Sequence, residues 1–124
     1  MNDTKRALIV DDEPGIRYYF RAVLERIGFD CCEAKNGEEA LHLLGNDSFD
    51  LMTLDVRMPG IGGLAVLREA RTLDARLPIV MITALGNPEI AAAGLTESGA
   101  NAFIAKPCSS VQLVSTIERV LSAF

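Results

Sequence analysis

The sequence has no tryptophan, a single histidine (His42), three cysteines and only three lysines, Lys5, Lys35 and Lys106. One histidine excludes a two-histidine zinc site and leaves any Ser-His-Asp or Cys-His catalysis dependent on that one residue. Cys31 and Cys32 are adjacent and Cys108 is distant, which gives neither a disulfide framework nor a metal-ligand spacing. Cys31 and Cys32 should point to opposite faces of one strand, so at least one should be buried, with Cys108 partly exposed. No apolar run approaches the roughly 18 residues of a membrane span. The start, Met1 to Arg6, is not a signal peptide, so a cytoplasmic chain without membrane association is expected. Basic clusters are missing as well. Twelve Lys and Arg against 17 Asp and Glu leave a net charge of -5, and direct nucleic-acid binding by this domain is not expected. Internal repeats, low-complexity stretches and linkers are also absent, so residues 1–124 read as one domain.

What is present is a regular alternation. Ala7-Leu8-Ile9-Val10, Ile79-Val80-Met81-Ile82 and Ala102-Phe103-Ile104-Ala105 are apolar at every position, and Leu51-Met52-Thr53-Leu54 at all but Thr53. Continuous apolarity over strand length predicts strands covered on both faces. Asp30 to Ala34 is mixed, as an edge strand would be. Between the runs, Ile16, Phe20, Val23, Leu24 and Ile27 fall at helical spacing, with Gly28 as the stop. Glu38 to Leu44 predicts a second helix stopping at Gly45-Asn46, and Gly63 to Leu73 a third. Ser109 or Ser110 should cap a last helix bearing Val111, Val114, Ile117 and Leu121. A helical pattern over residues 88–98 is interrupted by Gly94. Five β-α repeats with right-handed crossovers define an α/β fold: a (βα)5 doubly wound, five-stranded parallel sheet.

On that frame the unusual polar residues gather. Asp11-Asp12-Glu13 follows the first strand, Asp55 the third, Thr83 the fourth and Lys106 the fifth. In an open parallel sheet these points share the carboxyl edge, where ligands bind. Taken singly, an acid after a strand is ordinarily a turn residue or a helix cap. Acids, a hydroxyl and an ammonium converging from four segments are better explained by a site. Converging carboxylates repel unless a cation joins them, and all-oxygen ligation with open positions suits Mg²⁺. Lys106 and Thr83 would complete a cradle for a phosphoryl group, and the Asp55 carboxylate could attack phosphorus to form an aspartyl phosphate.

These residues resemble a known family, the CheY-like receiver domain of two-component response regulators. The motifs are Leu8-Ile9-Val10-Asp11-Asp12-Glu13, Leu54-Asp55-Val56-Arg57-Met58-Pro59-Gly60 with Gly63, Ile82-Thr83-Ala84, and Phe103-Ile104-Ala105-Lys106-Pro107. The resemblance implies a flavodoxin-like sheet of order 2-1-3-4-5. It implies Asp55 as phosphoacceptor, Asp12 as direct Mg²⁺ ligand and Asp11 as its partner through water, with the Arg57 backbone carbonyl on the metal. Thr83 and Lys106 would meet the phosphoryl group, and Thr83 with Phe103 would form the switch. Phosphorylation would then reshape the face of the fourth helix, fifth strand and last helix for an output partner the sequence does not identify. A cis peptide is implied before Pro107. A sensor histidine kinase or a histidine phosphotransfer protein would supply the phosphoryl group. The charged pattern of receivers that dimerise in winged-helix transcription factors is missing, and Asn101 stands where those often carry an acid, so a monomer or weak phosphorylation-dependent dimer is expected. Self-catalysed phosphorylation and dephosphorylation do not make the chain an enzyme in the metabolic sense. Two alternatives use the same residues differently: a Mg²⁺-dependent phosphatase of the haloacid dehalogenase type, and a pseudo-receiver that works without phosphorylation. The first would place its nucleophile in a D-x-D pattern after the first strand and would need length for a cap.

Overall fold

A computed structural model describes residues 4–56, 62–84 and 99–123, with the side chains of Thr83 and Ala84 excepted. The chain runs β1 (Lys5–Val10), α1 (Pro14–Arg26), β2 (Phe29–Ala34), α2 (Gly37–Asn46), β3 (Leu51–Asp55), α3 (Gly63–Leu73), β4 (Ile79–Ala84), β5 (Ala102–Lys106) and α4 (Ser110–Ser122). The strands form one parallel sheet in the order β2-β1-β3-β4-β5, as expected, with β2 at an edge. The helical pattern over 88–98 lies outside the described residues.

The apolar runs become strands because both faces of the sheet are covered. Successive side chains of a strand point to opposite faces. Leu8, Val10, Met52, Leu54, Ile79 and Met81 therefore pack with Val66, Leu67 and Ala70 of α3 and Ala40 of α2. Ala7, Ile9, Leu51, Val80 and Ile82 pack on the other face with Phe20, Val23 and Leu24 of α1 and Leu113, Ile117 and Val120 of α4. Cys31 and Cys32 divide between these two faces, Cys31 buried and Cys32 half-buried, and Cys108 is half-buried too.

Local signals set the ends of the elements. Pro14 opens α1, where its missing N–H costs no helical hydrogen bond. Gly28 follows with φ +101°, a left-handed turn that favours glycine. Ser109 caps α4 in a capping box: its hydroxyl accepts from Gln112 N while the Gln112 side chain accepts from Ser109 N, both at 3.1 Å. Asn36 caps α2 through Glu39 N at 2.8 Å. Four boundaries differ from expectation. Helix α2 continues through Gly45 and Asn46, and the Asn46 amide donates to the His42 carbonyl at 2.7 Å, closing the last turn. Strands β3, β4 and β5 extend to include Asp55, Thr83 and Lys106, because their ladders stay paired to the sheet edge: Asp55 opposite Ile82, Thr83 opposite Ala105 and Ala84 opposite Lys106.

Candidate functional site

The carboxyl edge of the sheet is where the predicted residues meet. Strand β1 ends at Val10, and the chain turns so that Asp11 is buried while Asp12 is exposed. Asp55 ends β3 at 3% exposure, its strand fixed by neighbours on both sides. One carboxylate oxygen from each of Asp11, Asp12 and Asp55 lies within 4.8 Å of the others. Strand β5 delivers Lys106 to the same place. Its Nζ lies 2.9 Å from Asp11 Oδ2, 3.3 Å from Asp55 Oδ2 and 3.5 Å from Glu13 Oε1. The peptide between Lys106 and Pro107 is cis, as the resemblance implied.

Two buried carboxylates side by side are costly without compensation. Lys106 supplies part of it, and its own titration shows the balance. Burial acts first, against the ammonium charge, but the contact with Asp11 and the charges of Asp55 and Asp11 outweigh it and hold the pKa above the ordinary lysine value. Three carboxylates still share one half-buried lysine. Hard oxygen donors from three side chains at this spacing can hold a divalent metal ion.

Close backbone packing supports the site. Val56 N donates to Ile82 O at 2.9 Å, and Gly63 N donates to Val56 O at 3.1 Å. A side chain on Gly63 would overlap the Val56 backbone, so α3 can start this near to Asp55 only with glycine there. Thr83 reaches the edge at the end of β4; its side chain lies outside what the structure describes, as do Arg57, the motif Met58-Pro59-Gly60 and the segment from Gly86 to Gly94. Phe103 is 43% exposed on β5. The structure thus brings together Asp11, Asp12, Asp55 and Lys106. It adds Glu13 as a third partner of Lys106, and it adds Arg17, whose Nη1 donates to the Asp11 carbonyl at 2.6 Å. Arg17 carries no signal in the sequence, because its partner Glu33 is brought to it by the pairing of β1 with β2.

Comparison with known proteins decides the family. The profile of the response regulator receiver domain matches residues 7–118. The chain belongs to the response regulator receiver family. Its solved relatives include a CheY-like receiver domain protein from Methanospirillum hungatei, with TM-score 0.92 and 30% identity over 98% of this chain and 96% of that one. The receiver domain of NtrX from Brucella abortus superposes with TM-score 0.89 and 33% identity over 95% and 99% of the two chains. In sequence, the receiver is 40% identical over 117 residues to a probable transcriptional regulator, ycf27, of Guillardia theta, covering 94% of this chain and 45% of that protein. It is 38% identical over 119 residues to the phosphate regulon transcriptional regulatory protein PhoB of Pseudomonas aeruginosa, covering 94% of this chain and 52% of that protein. The chain therefore spans about half the length of these relatives. Among the described residues, no helix is long and apolar enough to cross a membrane.

Proposed function

We propose that residues 1–124 act as one phosphorylation-driven switch of a two-component system, with Asp55 as the acceptor. The observation that carries this reading is the meeting of Asp11, Asp12 and Asp55 with Lys106 at the carboxyl edge. The donor is a phosphohistidine of a sensor histidine kinase or a histidine phosphotransfer protein. A carboxylate oxygen of Asp55 attacks the phosphorus atom, so an O–P bond forms as the P–N bond breaks. The bonding pair leaves with the imidazole nitrogen, and with a proton carried on the other ring nitrogen of the phosphohistidine the donor returns to neutral imidazole. Lys106, 3.3 Å from Asp55 Oδ2, offsets charge that builds on the transferring group.

The acid trio fits Mg²⁺, with Asp12 the direct ligand, Asp11 its partner and the Arg57 carbonyl a further donor. When bound, the metal ion would neutralise carboxylate and phosphoryl charge together. Thr83 then hydrogen-bonds a phosphoryl oxygen, and Phe103 follows it inward, altering the surface around β5 and α4. Phe103 has no hydroxyl, so its inward state rests on packing alone. Hydrolysis of the aspartyl phosphate resets the switch; no other product is released, and the chain is not a metabolic enzyme. The relatives named as transcriptional regulators support a role as the regulatory part of such a protein, in the cytoplasm. Nucleic acid would then be contacted by another domain, since this one is acidic. The state expected is a monomer or a weak phosphorylation-dependent dimer.

Asp55→Asn keeps the shape of the side chain and removes the nucleophile. Incubation with acetyl phosphate and Mg²⁺ should add one phosphoryl group to the wild type and none to the variant, as read by intact mass. Equal labelling of both would overturn the acceptor assignment. No labelling of either would favour the pseudo-receiver.

A further inference from the structure

We propose that Arg17 is a positioning residue for the metal-binding acids: it fixes the peptide that joins Asp11 to Asp12 and so sets where the Asp12 carboxylate stands. The inference rests on the reading of the acid trio as a Mg²⁺ site. Four contacts hold Asp11. Its N–H donates to Ala34 O at 3.1 Å, its Oδ1 accepts from Glu13 N at 2.9 Å, its Oδ2 faces Lys106 Nζ at 2.9 Å, and its carbonyl accepts from Arg17 Nη1 at 2.6 Å. Asp12 differs. Its exposed carboxylate has no hydrogen bond or ion pair among the described residues, and within them its backbone is what places it. That backbone begins with the carbonyl that Arg17 holds.

Arg17 is itself fixed from the far side. It is mostly buried, and its Nε donates to Glu33 Oε1 at 3.0 Å. The other oxygen of Glu33 pairs with Arg21 Nε at 3.0 Å, and Arg21 Nη2 donates to Cys31 O at 2.6 Å. One carboxylate on the edge strand therefore anchors two arginines of α1. Of these, only Arg17 reaches the acid turn. A planar guanidinium can hold Glu33 with one nitrogen and the Asp11 carbonyl with another, whereas a lysine ammonium is a single point on a flexible stem. At the acid turn Arg17 touches the Asp11 carbonyl rather than a metal-binding carboxylate, so it steadies the site without competing for the metal's ligands. Groups behind a metal ligand commonly tune affinity in this way.

The test compares wild type, Arg17→Ala, Arg17→Lys and Glu33→Gln by Mg²⁺ titration, following amide resonances of residues 11–13. Arg17→Ala should raise the half-saturating Mg²⁺ concentration about tenfold, with Arg17→Lys and Glu33→Gln in between. The rate of phosphorylation by acetyl phosphate at saturating Mg²⁺ should stay within about twofold of wild type, because Asp55 and Lys106 keep their places. Glu33→Gln preserves size and one acceptor, so it serves should Arg17→Ala fail to fold. Wild-type half-saturation in the variants would overturn the positioning role. So would a fall of the saturated rate in step with affinity, which marks general disruption. A wild type whose residues 11–13 ignore Mg²⁺ would instead overturn the metal reading beneath it.

Discussion

The two ends of this sheet are built from similar residues and treat charge in opposite ways. At the amino edge several polar groups meet matching ones. Arg6 N donates to Asp50 Oδ2 at 2.8 Å, the Arg6 guanidinium pairs with Asp47 at 2.8 Å, and its flat face covers the Phe49 ring. Asn101 Oδ1 accepts from both Ile79 N and Arg71 Nη2 at 2.8 Å, while Arg71 Nε holds Gly99 O at 2.9 Å. At the carboxyl edge, Asp11 and Asp55 are buried with Asp12 beside them, and one lysine serves them. The amino edge holds strands together; the carboxyl edge keeps like charges close. On the proposed reading, the second arrangement would gain from a divalent cation or from a change of charge on one carboxylate, which would make it the responsive end.

The largest effect should come from removing the ammonium that the acids share at the crowded edge. Lys106→Met removes the ammonium that faces the buried Asp11 and Asp55 carboxylates, and should destabilise the metal-free protein by about 3 kcal/mol. Urea unfolding measures this. Because the Lys106 pKa is raised, its stabilising contribution is complete below the ordinary value of 10.5 and is lost only as pH rises through its folded value. The gap between wild type and variant should therefore stay level from about pH 6 to about pH 10 and close only above the ordinary lysine value of 10.5. A gap that closes near neutrality would show that Lys106 is not the balancing charge.

A smaller loss is expected at the amino edge. Asn101→Ala strands the Ile79 amide and removes an acceptor from Arg71, at about 1–2 kcal/mol. Asn101→Asp keeps an acceptor for both donors and should recover most of that stability. Neither change should alter the rate at which Asp55 accepts a phosphoryl group; a large change in that rate would show the two edges to be coupled. The smallest effect concerns Thr53, buried in β3 with a hydroxyl that meets no hydrogen-bond partner among the described residues. Thr53→Val should be neutral or stabilising by up to about 1 kcal/mol, and a clear loss of stability would show that the hydroxyl is used.

Much of this contrast was legible in the sequence, for identifiable reasons. Strands covered on both faces are apolar throughout, so Ala7 to Val10 and Ile79 to Ile82 declare themselves. Acids placed at strand ends declare the edge they share. Strand ends are less legible: whether Asp55 is the last residue of β3 or the first of the loop depends on its pairing with Ile82. Contacts across elements carry no pattern at all. Arg17 and Glu33 lie 16 residues apart and meet only because β2 pairs beside β1. Asn101 was informative in the sequence as a missing acid; in the fold it is an acceptor that joins the start of β4 to α3.

If the proposed metal site is right, a divalent cation should relieve the strain of the acid cluster at the carboxyl edge. Thermal unfolding of wild type and Asp12→Ala over a series of Mg²⁺ concentrations tests it most directly. Asp12 is exposed and unpaired among the described residues, so its removal takes away repulsion and little packing. The wild-type midpoint should rise with Mg²⁺, while Asp12→Ala should begin at or above the metal-free wild type and stay flat. An Asp12→Ala protein that is strongly destabilised without metal, or a wild type indifferent to Mg²⁺, would contradict the account.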